Sequence, residues 1–268
     1  MDGIKRKGAR SMKDIPLGIL EQLNRGEIET ANLVEWLAVD QQFLLKHLLQ
    51  EQGRLDYLHP VLAAVHALKK QTINTVNEAI GSTLFEQAMQ QHDFSFLKIL
   101  RAHQSDVVRC WATYIVGRNK ELTINEMLQQ IQVFAADKHF GVREISWMAV
   151  RSTIAANLDV SIAVLTPWTG HSDENIRRFA TEATRPRGVW CAHIDVLKEN
   201  PSLALPLLEP LKADPAKYVQ DSVGNWLNDA SKTAPGFVRA LCQAWEVESD
   251  CKETRYIIKK ALRTLDKR

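Results

Sequence analysis

SDVVRCWA at residues 105–112 and FGVREISWMA at 140–149 place an arginine, Arg109 and Arg143, at one point of what reads as a helix start, directly after a β-branched residue. ENIRRFA (174–180), KYVQDSV (217–223) and ETRYIIKKA (253–261) continue the frame with Arg177, Gln220 and Arg255. Successive framed positions lie 34, 34, 43 and 35 residues apart, and a weaker match puts Asn77, in NTVNEAIG, one unit upstream. A period near that value corresponds to one helix pair per unit, each pair burying its apolar face on its neighbours. The long interval contains RPRGVW (185–190), which reads as an insertion between two otherwise regular units.

The rest of the chain agrees with a helical reading. Apolar residues recur at helical spacing in LGILEQL, FLLKHLLQ, INEMLQQIQVF and YIIKKALRTL, and alternating runs bounded by hairpin turns are absent. Short polar or Pro/Gly breaks such as HSDEN, RPRG, KADPAK and TAPG separate the helices. The expected fold is all-α, an α-solenoid of helix pairs with a curved, concave basic surface, formed by residues 14–268 as one domain. Residues 1–13, MDGIKRKGARSMK, read as a disordered basic arm.

Composition narrows the function classes. With 268 residues, 45% hydrophobic and 25% charged, the chain matches a soluble globular protein. Its longest apolar runs, such as VLAAVHAL (61–68), fall far short of the roughly 20 residues needed to span a bilayer, and MDGIKRKGARSMK is basic but lacks the apolar segment of a secretory signal. Four scattered cysteines without Cys-x-x-Cys spacing argue for free thiols in a reducing compartment. A cytoplasmic protein, monomeric and without membrane partner, metal or cofactor, is expected. Glycine-rich phosphate loops, Gly-x-Ser-x-Gly and His-Glu-x-x-His are all missing, so the motif routes to nucleotide hydrolysis, serine hydrolysis and zinc peptidase chemistry are unsupported.

A net charge of only +2 requires any polyanion site to be a local patch. In a stacked solenoid Arg109, Arg143, Arg177 and Arg255 would form a row, and a guanidinium suits phosphate because it is always charged and offers paired donors. The alternative is that each framed arginine binds acids of neighbouring loops, since Asp106, Asp137 and Asp173 sit just ahead of three of them. His103 and His171 occupy equivalent loop positions, which favours a structural role. IRRFATEATRPRGVW (176–190) tilts the balance toward a ligand: Arg177, Arg178, Arg185 and Arg187 surround a single acid, Glu182. Pro186 ends the helix there and carries Arg187 and Trp190 onto a loop. On 139–159, Arg143, Trp147 and Arg151 follow at four-residue steps, with Glu144 beside them. A carboxylate next to an aromatic face is what cleavage of a glycosidic bond requires, although a helical tryptophan is more often core.

HSDENIRRFATEATRPRGVW (171–190), LLEPLKADPAKYVQDSVGNWLNDASKTAP (207–235) and TRYIIKKALRTL (254–265) together resemble the HEAT-repeat alkylpurine DNA glycosylases, the AlkC/AlkD superfamily, and its AlkC-like branch in particular. The resemblance covers about residues 136–266 and extends weakly to 105. It implies a concave basic face that grips distorted double-stranded DNA, and hydrolysis of the N-glycosidic bond of N3- or N7-alkylated purines. Carried over by position, it implies DNA contact by Arg177, Arg178, Arg185 and Arg187, with Trp190 and Asn225 near the same surface. Adding the framed and helix-face residues, the expected DNA-binding set includes Arg109, Arg143 and Arg151, and the expected catalytic pair is Glu144 and Trp147. Two features depart from the branch. Gln220 and Asp221 stand where it often has arginines, and Trp147 aligns with a position that tends to carry an acid. A non-catalytic DNA-binding solenoid and a protein-interaction scaffold are the competing expectations.

Overall fold

Side chains fix where the helices begin. Thr72 accepts a hydrogen bond from the Thr75 N–H, Asp93 from Phe96, Thr123 from Glu126 and Asp173 from Asn175. Each satisfies a donor that has no partner within its own helix, a device that contributes about 1 kcal/mol. The computed structural model of the chain describes residues 6–188 and 190–266. Among these residues every regular element is helical, as the periodicity predicts.

The chain folds as two compact units, residues 1–120 with 138–149, and residues 121–137 with 150–268. Contacts confined to sequence-near repeats divide a helical array in this way. The first unit holds α1 (Leu17–Arg25), α2 (Leu33–Ala38), α3 (Gln41–Glu51), α4 (Leu58–His66), α5 (Ile73–Gln90), α6 (Phe94–Ala102) and α7 (Asp106–Gly117). The second holds α8 (Ile124–Ala135), and α9 (Phe140–Ala156) carries residues of both. The second continues with α10 (Leu158–Leu165), α11 (Glu174–Glu182), α12 (Asp195–Glu199), α13 (Leu205–Leu208), α14 (Lys217–Ala230), α15 (Pro235–Glu248) and α16 (Lys252–Leu262).

In the first unit α7 is the central element: every residue from Asp106 to Val116 is buried, and it packs on α5 and α6. Gly117 lets α7 meet α9 backbone to backbone, because a Cβ there would lie 2.2 Å from the Ala149 carbonyl oxygen. The 27–32 loop is held by a buried cluster. The Thr30 N–H and hydroxyl both donate to the Asp106 carboxylate at 2.9 Å, and His139 Nε2 lies 2.8 Å from the Thr30 carbonyl. In the second unit α14 is the equivalent core helix, packed on α11 and α16 and burying Val219, Val223, Trp226 and Leu227.

The segment expected as a free basic arm is anchored from Arg6 onward; residues 1–5 lie outside the described residues. Arg6 makes two 2.6 Å bonds to the buried Glu35 carboxylate, and Asn32 donates to the Ala9 carbonyl at 2.8 Å. Burial alone would push the Glu35 carboxyl up, but Arg6 and the Ala31 N–H outweigh it and hold it below the usual range. A buried carboxylate requires a partner, and composition alone does not reveal that requirement.

The repeat frame itself is an anchor for loops. Arg109 donates to the carbonyls of His103 and Gln104, each at 2.9 Å, and to Glu29 at 2.6 Å. Arg177 does the same with His171 (2.8 Å), Ser172 (3.0 Å) and both oxygens of Asp214 (2.6 and 3.0 Å). Gln220 reaches the Asp214 carbonyl at 2.8 Å, and Arg255 the Asp250 carbonyl at 2.7 Å. His103 and His171 turn their Nδ1 atoms on the N–H groups of Ser105 and Asp173, each at 3.0 Å, which confirms equivalent structural positions.

Asp93 allows a direct check of the first unit. Its carboxylate accepts from Arg54 at 2.5 and 3.0 Å, from Ser95 and from the Phe96 N–H, and the Arg54 guanidinium holds its carboxyl well below the usual carboxylate range. A depressed carboxyl contributes stability that is present above its unfolded value of about 3.9 and is lost as pH falls through the folded value. Asp93→Ala should destabilise by about 2–3 kcal/mol at pH 7, and the deficit against wild type should shrink below about pH 4. Thermal melts at pH 7 and pH 3 measure both, and an equal deficit at the two values would contradict the pairing.

Candidate nucleic-acid interface

Trp147 of α9 is 2% exposed, and its Nε1–H donates to Glu144 Oε2 at 3.1 Å. The two residues expected as a catalytic pair are thus in contact, the indole buried in the core and the carboxylate half-buried. Arg143 is half-buried on the same first unit and lines a pocket of about 400 Å3 with Arg6, Glu29, Lys138 and His139. Sequence reasoning missed Lys138, His139 and Arg6 as neighbours of Arg143, because two of the three lie outside the repeat frame and the third lies in the supposed arm.

In the second unit the site is built around Arg151, which is 4% exposed and not on the surface where it was expected. Its guanidinium donates to three carbonyls of one loop: Ala183 at 2.9 Å, Arg185 at 2.5 Å and Ala192 at 3.1 Å. A four-residue stripe defines a helix face but not the direction in which it points, and here the Arg151 end points inward. Trp226 Nε1 donates to the Thr184 carbonyl at 3.1 Å, and the Ile194 N–H closes the loop on Pro186 at 3.0 Å. Gly188 makes the turn tight, since a Cβ there would fall 2.1 Å from Cys191 Sγ and 3.1 Å from the Arg151 guanidinium carbon. The insertion is thus a loop moulded around one buried cation.

The charge surplus read from IRRFATEATRPRGVW is largely neutralised by acids from other repeats. Arg177 pairs with Asp214, Arg185 with Asp229 at 2.7 Å and with Glu182 at 3.3 Å, and Arg178 lies 3.6 Å from Glu182 with its guanidinium 4.1 Å above the Tyr218 ring. The expectation that one carboxylate leaves a solvated four-arginine patch is corrected accordingly. Arg109, Arg151, Arg177 and Arg185 are engaged in building the structure. Asp214 carries a legible signal: it precedes Gln220 by six residues, as His103 precedes Arg109 and His171 precedes Arg177.

Two residues of the stretch stand outside these ion pairs, a half-buried Arg187 and an exposed Trp190. Among the described residues no carboxylate lies within ion-pairing distance of Arg187, and its Nε has no hydrogen-bond partner. Trp190 is 77% exposed. Asn225 is half-buried on α14, one turn before Asp229 on the same face. No group of three His, Cys, Asp or Glu side chains among the described residues is placed to hold a metal ion, and no described helix is long and apolar enough to cross a membrane.

Comparison with known proteins bears on the architecture. No family model matches the chain. The uncharacterized protein YhaZ of Bacillus subtilis is 42% identical over 123 residues, which is 46% of this chain and 34% of that protein; the chain matches about a third of its relative's length. The alkylpurine DNA glycosylase AlkC of Pseudomonas fluorescens, solved bound to DNA containing an abasic site analogue, superposes with a TM-score of 0.65 at 20% identity, covering 97% of this chain and 66% of that one. AlkD2 of Streptococcus mutans gives 0.61 at 24% identity over 80% and 97% of the two chains. The chain has the AlkC/AlkD helical-repeat fold. The resemblance read from the arginine blocks is thereby matched at the level of architecture.

Loop and buried cation predict different mutational outcomes. Arg151→Met leaves three loop carbonyls without their donor and should destabilise by about 3 kcal/mol or more, with new tryptic cleavage after Arg187. Arg187→Ala should stay within about 0.5 kcal/mol of wild type. Wild-type melting and wild-type cleavage in Arg151→Met would show that the loop does not depend on it.

Proposed function

We propose that this chain is a DNA glycosylase that hydrolyses the N-glycosidic bond of N3- or N7-alkylated purines in duplex DNA, acting as an intracellular monomer. The observation that carries the reading is the superposition on DNA-bound AlkC across 97% of the chain. The chemistry suits the residues present. Alkylation gives the purine a positive charge, so the base leaves without a general acid, and the demand on the protein is a negative charge near the developing oxocarbenium sugar. Glu144 supplies that charge and Trp147 Nε1–H sets its orientation; the C1′–N bond breaks with its electron pair going to the base, the neutral alkylated purine departs, water adds to the sugar carbon, and the proton it loses passes to solvent. Arg143, Arg187, Trp190 and Asn225 contact the DNA, with Arg178 at the edge of its Tyr218 stack. Arg109, Arg151, Arg177 and Arg185 serve the reading as framework.

A second reading, DNA binding without base excision, is favoured by Trp147 standing where the AlkC-like branch tends to carry an acid. Incubation with methylated duplex separates the two. Release of methylpurine by wild type, reduced about 100-fold or more in Glu144→Gln with DNA affinity unchanged, is the expected result. Undiminished release in that variant would remove Glu144 from the mechanism. Salt-dependent binding without release would leave the binding reading. Arg187→Ala should reduce the slope of log K against log salt by about 1, one phosphate contact.

A further inference from the structure

Trp190 combines two properties that the loop around it does not require. It is 77% exposed, and its backbone φ is +59°, in the left-handed region where a bulky aromatic residue is a genuine outlier. The other described non-glycine residue with positive φ, His92 at +53°, follows the end of α5, where a helix commonly terminates in that conformation. Trp190 terminates no helix. Backbone strain of this kind persists only where surrounding structure over-determines it, and it concentrates at ligand-contacting sites. The over-determination is visible: Arg151 clamps the carbonyls of Ala183, Arg185 and Ala192 on either side, Trp226 and Ile194 hold Thr184 and Pro186, and Gly188 permits the tight turn. An exposed indole on a braced, strained tip offers a π-face, and Arg187 lies three residues before it in the chain.

We propose that Trp190 is a preformed aromatic wedge, which stacks on a nucleobase left unstacked at a distorted step of duplex DNA while Arg187 holds an adjacent phosphate. The wedge rests on the DNA-binding reading of the chain and adds to it a residue that distinguishes distorted from regular duplex. Every base has a π-face, so stacking reports loss of neighbour stacking and not sequence. Arg151 is the positioning residue for the tip, because its three bonds fix the loop without reaching the ligand. Rigidity matters here: a flexible tip would lose its ordering entropy on binding, and the braced tip does not.

The test uses the full chain and two duplexes, one regular and one with a tetrahydrofuran abasic site next to 2-aminopurine. Wild type should prefer the abasic duplex and change the 2-aminopurine fluorescence. Trp190→Ala should weaken binding to the abasic duplex by roughly 5- to 100-fold, the range expected for one base–aromatic stack, weaken regular-duplex binding by a smaller factor so that the preference is lost, and abolish the fluorescence change. Trp190→Phe should restore most of it. Trp190→Gly should melt above Trp190→Ala, since glycine tolerates the left-handed backbone. An unchanged preference and fluorescence response in Trp190→Ala, with salt-dependent DNA binding intact, overturns the wedge and leaves the DNA reading standing. Failure of wild type to bind either duplex overturns both.

Discussion

Buried loop carbonyls need donors, and in this chain guanidinium groups supply them. A loop that passes beneath neighbouring repeats cannot turn its backbone to water, and each unpaired buried polar group carries a penalty of about 1–3 kcal/mol. Arg109 and Arg177 each satisfy two consecutive carbonyls and then dock on a carboxylate from another repeat. Arg151 carries the same logic further, satisfying three carbonyls of one loop. The planar fork of five N–H donors explains why this position takes arginine rather than lysine. It also explains why Gln220 can stand in once: its amide reaches the carbonyl six residues back, although it cannot take the carboxylate as well.

That constraint redistributes charge before any ligand is considered. Arg177 with Asp214 and Arg185 with Asp229 are buried or nearly buried pairs, and removing one partner of such a pair leaves an uncompensated charge in the interior. Arginines in that position cannot be transferred to phosphate without uncovering their acids. On the DNA-binding reading, that leaves Arg143 as the framed arginine offered to a polyanion and gives more weight to the insertion that interrupts the frame. The departure of Gln220 and Asp221 from the AlkC-like pattern fits the same shift. Asp221 is held by Tyr256 at 2.6 Å and Lys260 at 2.5 Å, so its added negative charge is compensated within its own unit.

What was legible in the sequence follows from range. Helix starts, the 34-residue frame and the insertion are written in residues a few positions apart, and Thr123, Asp173 and Pro186 act where they stand in the chain. The acids that neutralise the arginine block come from 37 and 44 residues away, a separation at which only the folded chain decides who meets whom. Local charge counting over 176–190 therefore overstated the patch. The direction of the α9 stripe was hidden for the same reason, since periodicity places Arg143, Trp147 and Arg151 on one face and packing alone decides that Trp147 and Arg151 are buried. Arg6 was unreadable because its partner, Glu35, looks like any surface glutamate until α2 is packed.

The strained tip and the oriented carboxylate express one physical idea in two places. A leaving group that is already cationic reduces the catalytic demand to placing a negative charge and holding the substrate's geometry. In the proposed reaction Glu144, hydrogen-bonded to an indole that is itself core, would meet the first demand. Trp190, held in a conformation that tryptophan disfavours, would meet the second in the proposed wedge. Both depend on buried neighbours that never touch the ligand, Trp147 for the carboxylate and Arg151 for the loop. Mutations at those neighbours should therefore appear as losses of precision, in orientation and discrimination, before they appear as losses of contact.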